Sequence, residues 1–529
     1  MSETPVLIIG GGPVGLALAL GLAQQKVRSI LFEAKTEIDP HSRALGILPR
    51  TLEIFRSWGV YDRFVSAGEL FSKIRVWIAG RPQPIFEADL TVFGRISAAN
   101  GVLILPQNLT EKLLLESVRE AGQTEVLLGH KVTRFQQDSE GVWVDVQTAG
   151  GETKRYRGRY LVGCDGAHST IRSQLGWELE GKTYPTRVLL ADLRIQDERD
   201  QLPYPLFAPG IVGVLAGVRY QPQHWRIIST LAPGESEEAA LESSSIRRRV
   251  VQLFGEGSYE PLWSNVFHIH CRTSPRFRQE RVMLAGDAAH INSPAGGQGM
   301  NSGIHDAHNL AWKLARVLAG ADAESLLLSY ESERRETILK SVDRYTDLLT
   351  RYGLGAPELI RNFTGTVIRL LPRLGLISWV APKMGMLDTA YTQSPILGGH
   401  GHWVGRRAPD GELTTSDQRI IRLLDLAGSR PVLLLFDEGR LPGWDPQRTR
   451  GYFQNIDDLQ VALIAPSKAP VTDGAYVASD SLWRTWNGSW GMAALVRPDG
   501  IVGWMERRPT VAELTEGVRK ALGAAAQGP

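Results

Sequence analysis

A glycine-rich segment near the start of the chain constrains its fold more than any other feature. The segment lies between a short apolar run, residues 6–9, and a longer run of leucines and small residues, 13–25. In the pattern G-x-G-x-x-G, glycines permit a tight turn, close approach of a pyrophosphate to the backbone, and close packing of helix on strand. We therefore predict a strand, a turn that binds phosphate at a helix N-terminus, and a helix. The residues of the pattern are Gly10, Gly12, Pro13, Val14 and Gly15.

A second strand and an acidic residue complete this unit. Residues 29–33 are mostly apolar and end at Glu33, which predicts a buried parallel strand. Glu33 lies 18 residues after Gly15, where a carboxylate accepts hydrogen bonds from ribose hydroxyls. Strand, helix and strand in this order predict a Rossmann-like unit that binds a dinucleotide. The segment alone does not distinguish NAD from FAD.

Composition argues against several other kinds of protein. The 59 Lys and Arg residues nearly balance the 57 Asp and Glu residues, so we expect no nucleic-acid partner. Residues 6–25 carry no charge, but glycines and a proline interrupt them, so we predict neither a membrane span nor a secretion signal. The two cysteines, Cys164 and Cys271, form no C-x-x-C pair, which predicts no disulfide framework and a cytoplasmic location. No acidic cluster accompanies the histidines that could form a metal site, so we predict no metal; these are His290, His305 and His308.

Two later segments also follow predicted buried strands. Asp165-Gly166 comes after one short strand, and Gly286-Asp287 comes after another at residues 282–285. An Asp-Gly pair alone is an ordinary turn. Residues 294–301 are then rich in small side chains and lead into a predicted helix over 299–318.

The order and spacing of these three segments resemble those of the class A FAD-dependent aromatic monooxygenases, which share the fold of para-hydroxybenzoate hydroxylase. The resemblance implies an α/β fold with three parts: a Rossmann-like FAD-binding domain, an inserted mixed β-sheet that binds substrate, and a C-terminal thioredoxin-like α/β domain. The last is found in longer members such as phenol and aromatic polyketide hydroxylases. The implied ranges are 1–180 and 275–350 for FAD binding, 181–274 for the insertion, 351–404 for a helical linker, and 405–529 for the thioredoxin-like domain, which has no C-x-x-C.

Sequence patterns predict further elements of this arrangement. Apolar and polar residues alternate over 183–271, which predicts strands, and the proline, glycine and tryptophan residues of 377–405 predict a connecting segment. A charged turn, Arg497-Pro498-Asp499-Gly500, predicts a hairpin. The other predicted helices cover 51–57, 109–120, 326–345 and 511–522, and the other predicted strands cover 431–436, 461–464, 493–496 and 501–504.

The resemblance also implies which residues contact FAD. Arg43 would lie over the pyrophosphate, and Gln107 would contact the flavin. The Asp165-Gly166 segment would lie near the pyrophosphate and also help to bind the nicotinamide donor, and Asp287 would accept a hydrogen bond from a ribityl hydroxyl. The implied FAD contacts are Gly10, Gly12, Pro13, Val14, Gly15, Glu33, Ala34, Arg43, Gln107, Val132, Asp165, Gly166, Gly286, Asp287, Pro294, Gly297, Gly299, Met300 and Asn301.

The implied reaction is hydroxylation of an aromatic ring. NADPH or NADH reduces FAD, dioxygen adds to give a C4a-hydroperoxyflavin, and its distal oxygen passes to the ring. A helix that begins near Gly299 would aim N–H groups at flavin N1 and O2 and stabilise the reduced anion. The residues expected to position the reacting groups are Pro294, Gly296 and His290.

Two alternatives stay open beside hydroxylation. One is Baeyer–Villiger oxygenation on the same fold, and the other is a non-catalytic module that binds flavin. A flavin-dependent halogenase is not favoured, because the tryptophan-rich motif W-x-W-x-I-P is absent. We expect a monomer or a homodimer that acts on a small aromatic molecule and O2.

An apolar stretch in the inserted region indicates the kind of substrate. Residues 209–218 carry no charge, and Arg219 is the first cation after them. We therefore predict a hydrophobic, neutral, phenolic or polycyclic aromatic substrate. The predicted substrate contacts are Val212, Val214 and Leu215, unless these side chains form sheet core and face away from the pocket. The candidate bases for deprotonating a phenol are Tyr204, His224 and His290.

Overall fold

A computed structural model of the protein describes residues 4–40, 44–208, 214–293, 297–342, 377–437, 444–467 and 475–524. Four residues expected at the site lie outside these ranges: Arg43, Val212, Pro294 and Gly296. Within the described ranges, each helix is too short or too polar to cross a membrane.

The strands are numbered in chain order. They are β1 (Thr4–Ile9), β2 (Ser29–Glu33), β3 (Gly46–Ile47), β4 (Glu69–Phe71), β5 (Lys73–Ile78), β6 (Phe86–Asp89), β7 (Val102–Ile104), β8 (Thr124–Leu128), β9 (His130–Gln137), β10 (Val142–Thr148), β11 (Thr153–Gly163), β12 (Glu180–Arg194), β13 (Leu206–Phe207), β14 (Leu215–Gln221), β15 (His224–Thr230), β16 (Glu260–Thr273), β17 (Arg278–Gln279), β18 (Val282–Leu284), β19 (His290–Ile291), β20 (Gly398–Gly399), β21 (Glu412–Thr414), β22 (Ile420–Arg422), β23 (Val432–Phe436), β24 (Gln460–Pro466), β25 (Ala475–Ala478), β26 (Met492–Val496) and β27 (Val502–Arg507).

The α-helices are numbered in the same way. They are α1 (Pro13–Gln24), α2 (Pro49–Ser57), α3 (Tyr61–Ala67), α4 (Gln107–Ala121), α5 (Thr170–Gln174), α6 (Glu237–Leu241), α7 (Ser243–Phe254), α8 (Gly299–Leu318), α9 (Ala323–Thr337), α10 (Ile377–Met384), α11 (Leu423–Ala427), α12 (Pro446–Gly451), α13 (Asp480–Trp486) and α14 (Val511–Ala521). Short 3₁₀ helices cover Leu90–Arg95, Glu198–Gln201 and Gly286–Ala288, and a π-helical turn, Ile338–Val342, follows α9.

The first sheet contains the predicted Rossmann-like unit. β1 is parallel to β2 and to β11, and β11 is parallel to β18, so the central order is β18-β11-β1-β2-β8. Leu7 and Ile8 are fully buried, as expected for strands of a parallel sheet, because both faces of such a sheet are covered by other parts of the protein. α1 packs against α4 and α8. The predicted α/β fold of this part is confirmed.

The inserted region builds a second, mixed sheet. Its order is β19-β16-β12-β15-β14-β13-β5-β6. β12 is antiparallel to β15 and β16, whereas β13 is parallel to β5. β5 and β6 come from residues before 90, so earlier parts of the chain complete the sheet. The domain boundaries given above stay a prediction.

Two helices, α6 and α7, cover one face of this sheet. Both lie within residues 183–271, whose alternation predicted strands, so that prediction is wrong for these two segments. Ser236 caps α6 with its side chain. In α7, three apolar side chains recur at helical spacing and pack onto the sheet, and they are Ile246, Val250 and Leu253. Their spacing of four and three residues places all three on one side of a helix, and burial of that side favours a helix over a strand.

The C-terminal sheet has the predicted thioredoxin-like arrangement. Its order is β20-β27-β26-β23-β24-β25-β21-β22. β23 is parallel to β24 and antiparallel to β26, which gives a mixed sheet, and α14 packs against β27. The residues predicted to be a connection, 377–405, contain α10.

A buried group of polar and charged residues joins α8 and α9 to the C-terminal sheet. Glu333 accepts hydrogen bonds from Lys313 at 2.7 Å and from Arg497 at 2.7 and 2.9 Å. Arg497 also pairs with Asp499, which accepts a hydrogen bond from Asn309 at 3.0 Å. Burial lowers the pKa of Lys313 to about 8, so its ammonium still carries charge at neutral pH beside Glu333. We call these five residues the interface cluster.

Candidate active site

The three glycine-containing segments of the sequence meet at one edge of the first sheet. The register pairs Ile9 of β1 with Gly163 of β11, and Gly163 with Leu284 of β18. These residues end their strands, and the segments after them begin at Gly10, Cys164 and Ala285. Ligands of open α/β sheets bind beyond the carboxyl ends of the parallel strands. This edge is therefore the candidate site.

The glycines of the first segment differ in their surroundings. Gly10 has a φ of +106°, and a β-carbon there would lie 2.4 Å from the carbonyl oxygen of Cys164. A β-carbon on Gly15 would lie 2.0 Å from the carbonyl oxygen of Gly10. A β-carbon on Gly12 would meet no atom of the described residues within 4 Å. Gly10 and Gly15 therefore shape the turn, whereas Gly12 leaves open space beside the N-terminus of α1.

Val14 links the first segment to the third. A β-carbon on Gly286 would lie 2.7 Å from Cγ2 of Val14, and one on Gly303 of α8 would lie 2.4 Å from the same atom. Pro13 is the first residue of α1 and has no N–H that needs a partner. The two segments are thus packed together through the Val14 side chain.

Glu33 lies at the end of β2 and is half-buried. Its carboxylate accepts a hydrogen bond from the N–H of Gly11 at 2.5 Å and another from the N–H of Lys35 at 2.8 Å. Ala34, between them, is exposed. Each oxygen of an ionised carboxylate can accept more than one hydrogen bond, so Glu33 keeps capacity for a ribose hydroxyl.

The carboxylate of Asp165 organises its own loop. It accepts hydrogen bonds from the hydroxyl of Ser169 at 2.6 Å and from the N–H of Thr170 at 2.7 Å, at the start of α5. Gly166 has a φ of +78°, which favours glycine. Arg172 of α5 donates to the carbonyl of Ala288 at 2.9 Å and so ties this loop to the Gly286 segment.

Asp306 of α8 holds the Gly286 segment from inside the protein. Its carboxylate accepts hydrogen bonds from the N–H of Gly286 at 2.9 Å, from Nε2 of His290 at 2.7 Å and from Nε of Arg334 at 2.7 Å. Burial opposes ionisation, yet His290 and Arg334 hold the pKa of Asp306 well below its usual range. Asp287 is exposed at the sheet edge beside this anchor.

His290 is a positioning residue by its geometry. Its imidazole is 1% exposed and stacks on Phe277, with 5.8 Å between ring centroids. Its Nε2 is bonded to Asp306. The ring therefore supports the Gly286 segment from the interior of the protein. Because it is buried and hydrogen-bonded to Asp306, this placement does not favour His290 as a base that contacts substrate.

The start of α8 is uncapped and lined by small residues. Gly297 has a φ of +66°, and β-carbons on Gly297 and Gly299 would meet no atom of the described residues within 4 Å. No described side chain caps the helix. Asn301 uses its side chain elsewhere: Oδ1 accepts from the N–H of Leu48 at 2.9 Å, and Nδ2 donates to the carbonyl of Gly297 at 2.8 Å. Asn301 thus offers a cofactor only its backbone, and Met300 packs against the core.

Gln107 and Val132 lie in a helix and a strand that follow the first segment along the chain. Gln107 begins α4, and its amide donates to the carboxylate of Glu111 at 2.8 Å. Burial raises the pKa of Glu111 to about 7, a perturbed acid that the sequence did not single out. Val132 is 5% exposed in β9 and belongs to the main core.

The two described residues among the predicted substrate contacts, Val214 and Leu215, have different surroundings. Leu215 is 2% exposed and packs with Val250 and Leu253 of α7, so its side chain belongs to the core between sheet and helix. This placement contradicts the expectation that Leu215 contacts substrate and supports the alternative, sheet core. Val214 directly precedes β14 and is half-buried, and its N–H donates to the hydroxyl of Thr230 at 2.8 Å.

Family models match nearly the whole chain. A model described as FAD binding domain matches residues 3–345, and one described as aromatic-ring hydroxylase, C-terminal, matches residues 401–525. The chain belongs to the class A FAD-dependent aromatic monooxygenases. The predicted family, the predicted FAD dependence and the prediction of an enzyme are thereby confirmed.

Individual relatives of this monooxygenase agree with the family. Over 458 residues it is 34% identical to a rifampicin monooxygenase of Streptomyces venezuelae, which covers 83% of this chain and 89% of that one. Over 539 residues it is 30% identical to 12-dehydrotetracycline 5-monooxygenase/anhydrotetracycline 6-monooxygenase of Streptomyces rimosus, with 98% of each chain covered. The solved structure of an anhydrotetracycline hydroxylase from Streptomyces rimosus aligns with a TM-score of 0.78 at 28% identity and covers 99% of this chain and 100% of that one. These matches disfavour a non-catalytic flavin module.

The edge of the first sheet fits FAD. Open space lies beside Gly12, Gly297 and Gly299, where an added β-carbon would meet no described atom. Neither α1, with 12 residues, nor α8, with 20, has its N-terminus capped by a described side chain. Free N–H groups at helix starts favour phosphates and other anionic groups. Two such starts on one edge suit a cofactor that has both a pyrophosphate and a ring that becomes anionic.

The described residues contain no group of three or more His, Cys, Asp or Glu side chains that could hold a metal ion. The histidines of α8 have different surroundings. Nε2 of His305 lies 3.1 Å from the hydroxyl of Thr51, whereas His308 contacts the ring of Trp58.

Because His305 and His308 are buried, we expect the free energy of unfolding to depend on pH. Burial, with Arg334 nearby, holds the pKa of His305 well below 6.5, and burial lowers that of His308 to about 3. Unfolded histidines bind protons near pH 6.5, so the stability is fully present above that value. Below it, stability falls by about 1.4 kcal/mol per pH unit for each histidine. We expect the urea midpoint to fall between about pH 7 and about pH 5.5, and to fall less in His308→Gln; equal falls would contradict this account.

Proposed function

We propose that this enzyme uses NADPH or NADH and O2 to hydroxylate a neutral, hydrophobic aromatic molecule. The molecule would bind on the face of the second sheet opposite α6 and α7. The observation that carries this proposal is the pairing of Arg226, a buried cation on that face, with Asp192. Names of relatives that refer to rifampicin and anhydrotetracycline support a polycyclic substrate.

Alternation along the strands divides side chains between the two faces of the sheet. Leu215 and Ile227 pack in the core with α7. Their neighbours Ala216 and Ile228 therefore point to the opposite face, where Ile228 packs beside Val188. This face offers apolar surface for an aromatic ring system.

Charge on this face is compensated. Arg226 is 2% exposed, and it donates from Nε and Nη2 to the two oxygens of Asp192 at 2.7 and 2.8 Å. A bidentate pair of this kind satisfies both partners. A substrate carboxylate would have to displace Asp192 or remain buried without a partner, which is costly. A neutral phenol or polycyclic ring faces no such cost.

The chain's own groups hold and orient the cofactor. When bound, FAD supplies the chemistry that reduces and activates dioxygen. Gly12 leaves room for a pyrophosphate at α1, Glu33 would accept a hydrogen bond from the ribose, and Asp287 would accept one from a ribityl hydroxyl. Asp306 fixes the segment that carries Asp287 by binding the N–H of Gly286. The N–H groups at the start of α8, which no described side chain caps, would hold the flavin ring and favour its anionic form.

A substrate panel tests this function. Oxidation of NADPH and NADH is followed with 1-naphthol, a hydroxyanthraquinone and 1-hydroxy-2-naphthoate, and products are identified by mass. We expect hydroxylated product, with kcat/KM at least about tenfold higher for the neutral compounds than for the carboxylate. A preference for the carboxylate would contradict the proposal.

A variant sharpens the test. Asp192→Asn removes the negative partner of Arg226, so it should move the preference toward 1-hydroxy-2-naphthoate. Asp197→Asn is the control, because Asp197 pairs with Arg199 outside the strands of this face. If both variants keep the preference of the unmodified enzyme, Arg226 and Asp192 do not select the substrate.

A further inference from the structure

A cavity lies at the junction between the FAD-binding part and the C-terminal sheet. It has a volume of about 350 Å³ and is bounded by α2, α8, α11 and the turn before β27. Small-molecule sites have volumes of about 300–1,000 Å³ and occur preferentially at domain interfaces. Along α8, nine residues separate Gly299 from His308 of this cavity, which corresponds to about 14 Å. The cavity is therefore separate from the start of α8, where the flavin ring is expected.

The walls of this junction cavity are apolar, and its inner end is polar. Ile54 of α2 and Trp58, the residue after this helix, form one wall, and Leu424 and Ala427 of α11 form the other. His308 lines the inner end and is 8% exposed. The ring of Trp58 meets His308 edge to face, with 5.5 Å between centroids. An aromatic ring that enters between the two walls would thus reach the imidazole.

Charged groups around the cavity are already paired. Arg50 donates to Glu53 at 2.8 Å and to the carbonyl of Asp499. The carboxylate of Asp499 is bound by Arg497 of the interface cluster. At the mouth, Arg56 pairs with Asp425 at 2.7 Å. An ionic ligand would have to break one of these pairs, so the cavity suits an uncharged molecule.

His308 provides the polar group that such a molecule would meet. None of the described residues forms a hydrogen bond with either ring nitrogen of His308. Burial, and Arg50 next, lower the pKa of His308 to about 3, so the imidazole is neutral at physiological pH. A neutral imidazole has one N–H donor and one nitrogen acceptor. A hydroxyl group can use either, because it both donates and accepts.

We propose that the junction cavity binds a small neutral hydroxyaromatic molecule, with its ring between Trp58 and Leu424 and its hydroxyl on His308. This site is additional to the catalytic one and does not depend on the reaction proposed above. A ligand there would contact α2, α8 and the C-terminal sheet at once, so it would bridge the two parts of the enzyme.

Crystals of the FAD-loaded enzyme soaked in 4-bromophenol test the proposal. The anomalous signal of bromine locates the probe, so occupancy of the junction cavity is measured separately from any occupancy beside the flavin. We expect a bromine peak in the cavity and a phenol oxygen within hydrogen-bond distance of His308. Bromobenzene lacks the hydroxyl and 4-bromobenzoate is charged, so both should occupy the cavity less.

Two variants and a control complete the test. His308→Leu should raise the probe concentration for half occupancy by about tenfold, because it removes the hydrogen bond. Ala427→Phe should abolish occupancy by filling the cavity, and it covers the case in which His308→Leu does not fold. His400→Leu changes an exposed histidine elsewhere and should have no effect. Only water in the cavity at saturating probe, equal occupancy in His308→Leu, or preferred binding of 4-bromobenzoate would overturn the proposal.

Discussion

Gly12→Val is expected to leave the protein folded but unable to retain FAD. A β-carbon at Gly12 meets no described atom within 4 Å, and its φ of −72° suits any residue, so the variant should fold normally. The added side chain would fill the space through which a pyrophosphate reaches the N-terminus of α1. We expect affinity for FAD to fall by at least about 100-fold, which corresponds to about 2.7 kcal/mol.

Titration of the apoprotein with FAD, followed by flavin fluorescence, measures this effect. Gly451→Val is the matched control, because a β-carbon on Gly451 at the end of α12 also meets no described atom. The control should bind FAD like the unmodified protein. If Gly12→Val purifies yellow with a full complement of FAD, the pyrophosphate does not approach the backbone at Gly12.

Arg497→Met is expected to destabilise the junction between the two parts of the enzyme. Arg497 is 0% exposed and neutralises both Glu333 and Asp499, so its removal leaves two buried carboxylates, and Lys313 is the one cation of the interface cluster that stays beside them. Breaking a buried ion pair by removing one partner costs about 3–5 kcal/mol. We expect the free energy of unfolding to fall by this amount in the transition that includes the C-terminal sheet.

Urea unfolding of the FAD-loaded protein, followed by tryptophan fluorescence, checks this prediction. Trp312 and Trp504 are 2% and 3% exposed and belong to the main core that α8 and the C-terminal sheet share. Arg419→Met is the control, because Arg419 pairs with Asp417 on the surface, where ion pairs contribute little. If the two variants unfold at the same urea concentration, the interface cluster does not hold the two parts together.

Local sequence rules predict the site well where geometry depends on neighbouring residues. At positions 10 and 15 a β-carbon would collide with a carbonyl oxygen, so the turn requires glycine at both. A stretch of about ten residues of sequence is enough to recognise this requirement. The three segments then meet because β1, β11 and β18 are parallel neighbours. A resemblance in motif order was needed to predict that pairing, since nothing local connects residue 10 with residue 286.

The residues that the sequence did not reveal are buried polar groups with distant partners. Arg497 and Asp499 lie in a turn that is typical of an exposed hairpin, yet their partner Glu333 is 164 residues away from Arg497. Asp306 lies in a helix without any motif of its own, and its role follows from contacts with Gly286, His290 and Arg334. The sequence left both positions open for Leu215, substrate pocket or sheet core, because its apolar character does not reveal which face of the sheet it occupies.

We propose that this enzyme transfers one atom of dioxygen to a neutral aromatic ring. The most direct measurement is turnover under ¹⁸O₂ with NADPH and the most active compound of the panel, followed by mass spectrometry of the product. We expect one ¹⁸O atom per product molecule and one NADPH oxidised for each. Product oxygen that comes from water, or NADPH oxidation that yields only hydrogen peroxide with every compound, would contradict transfer of oxygen to the ring.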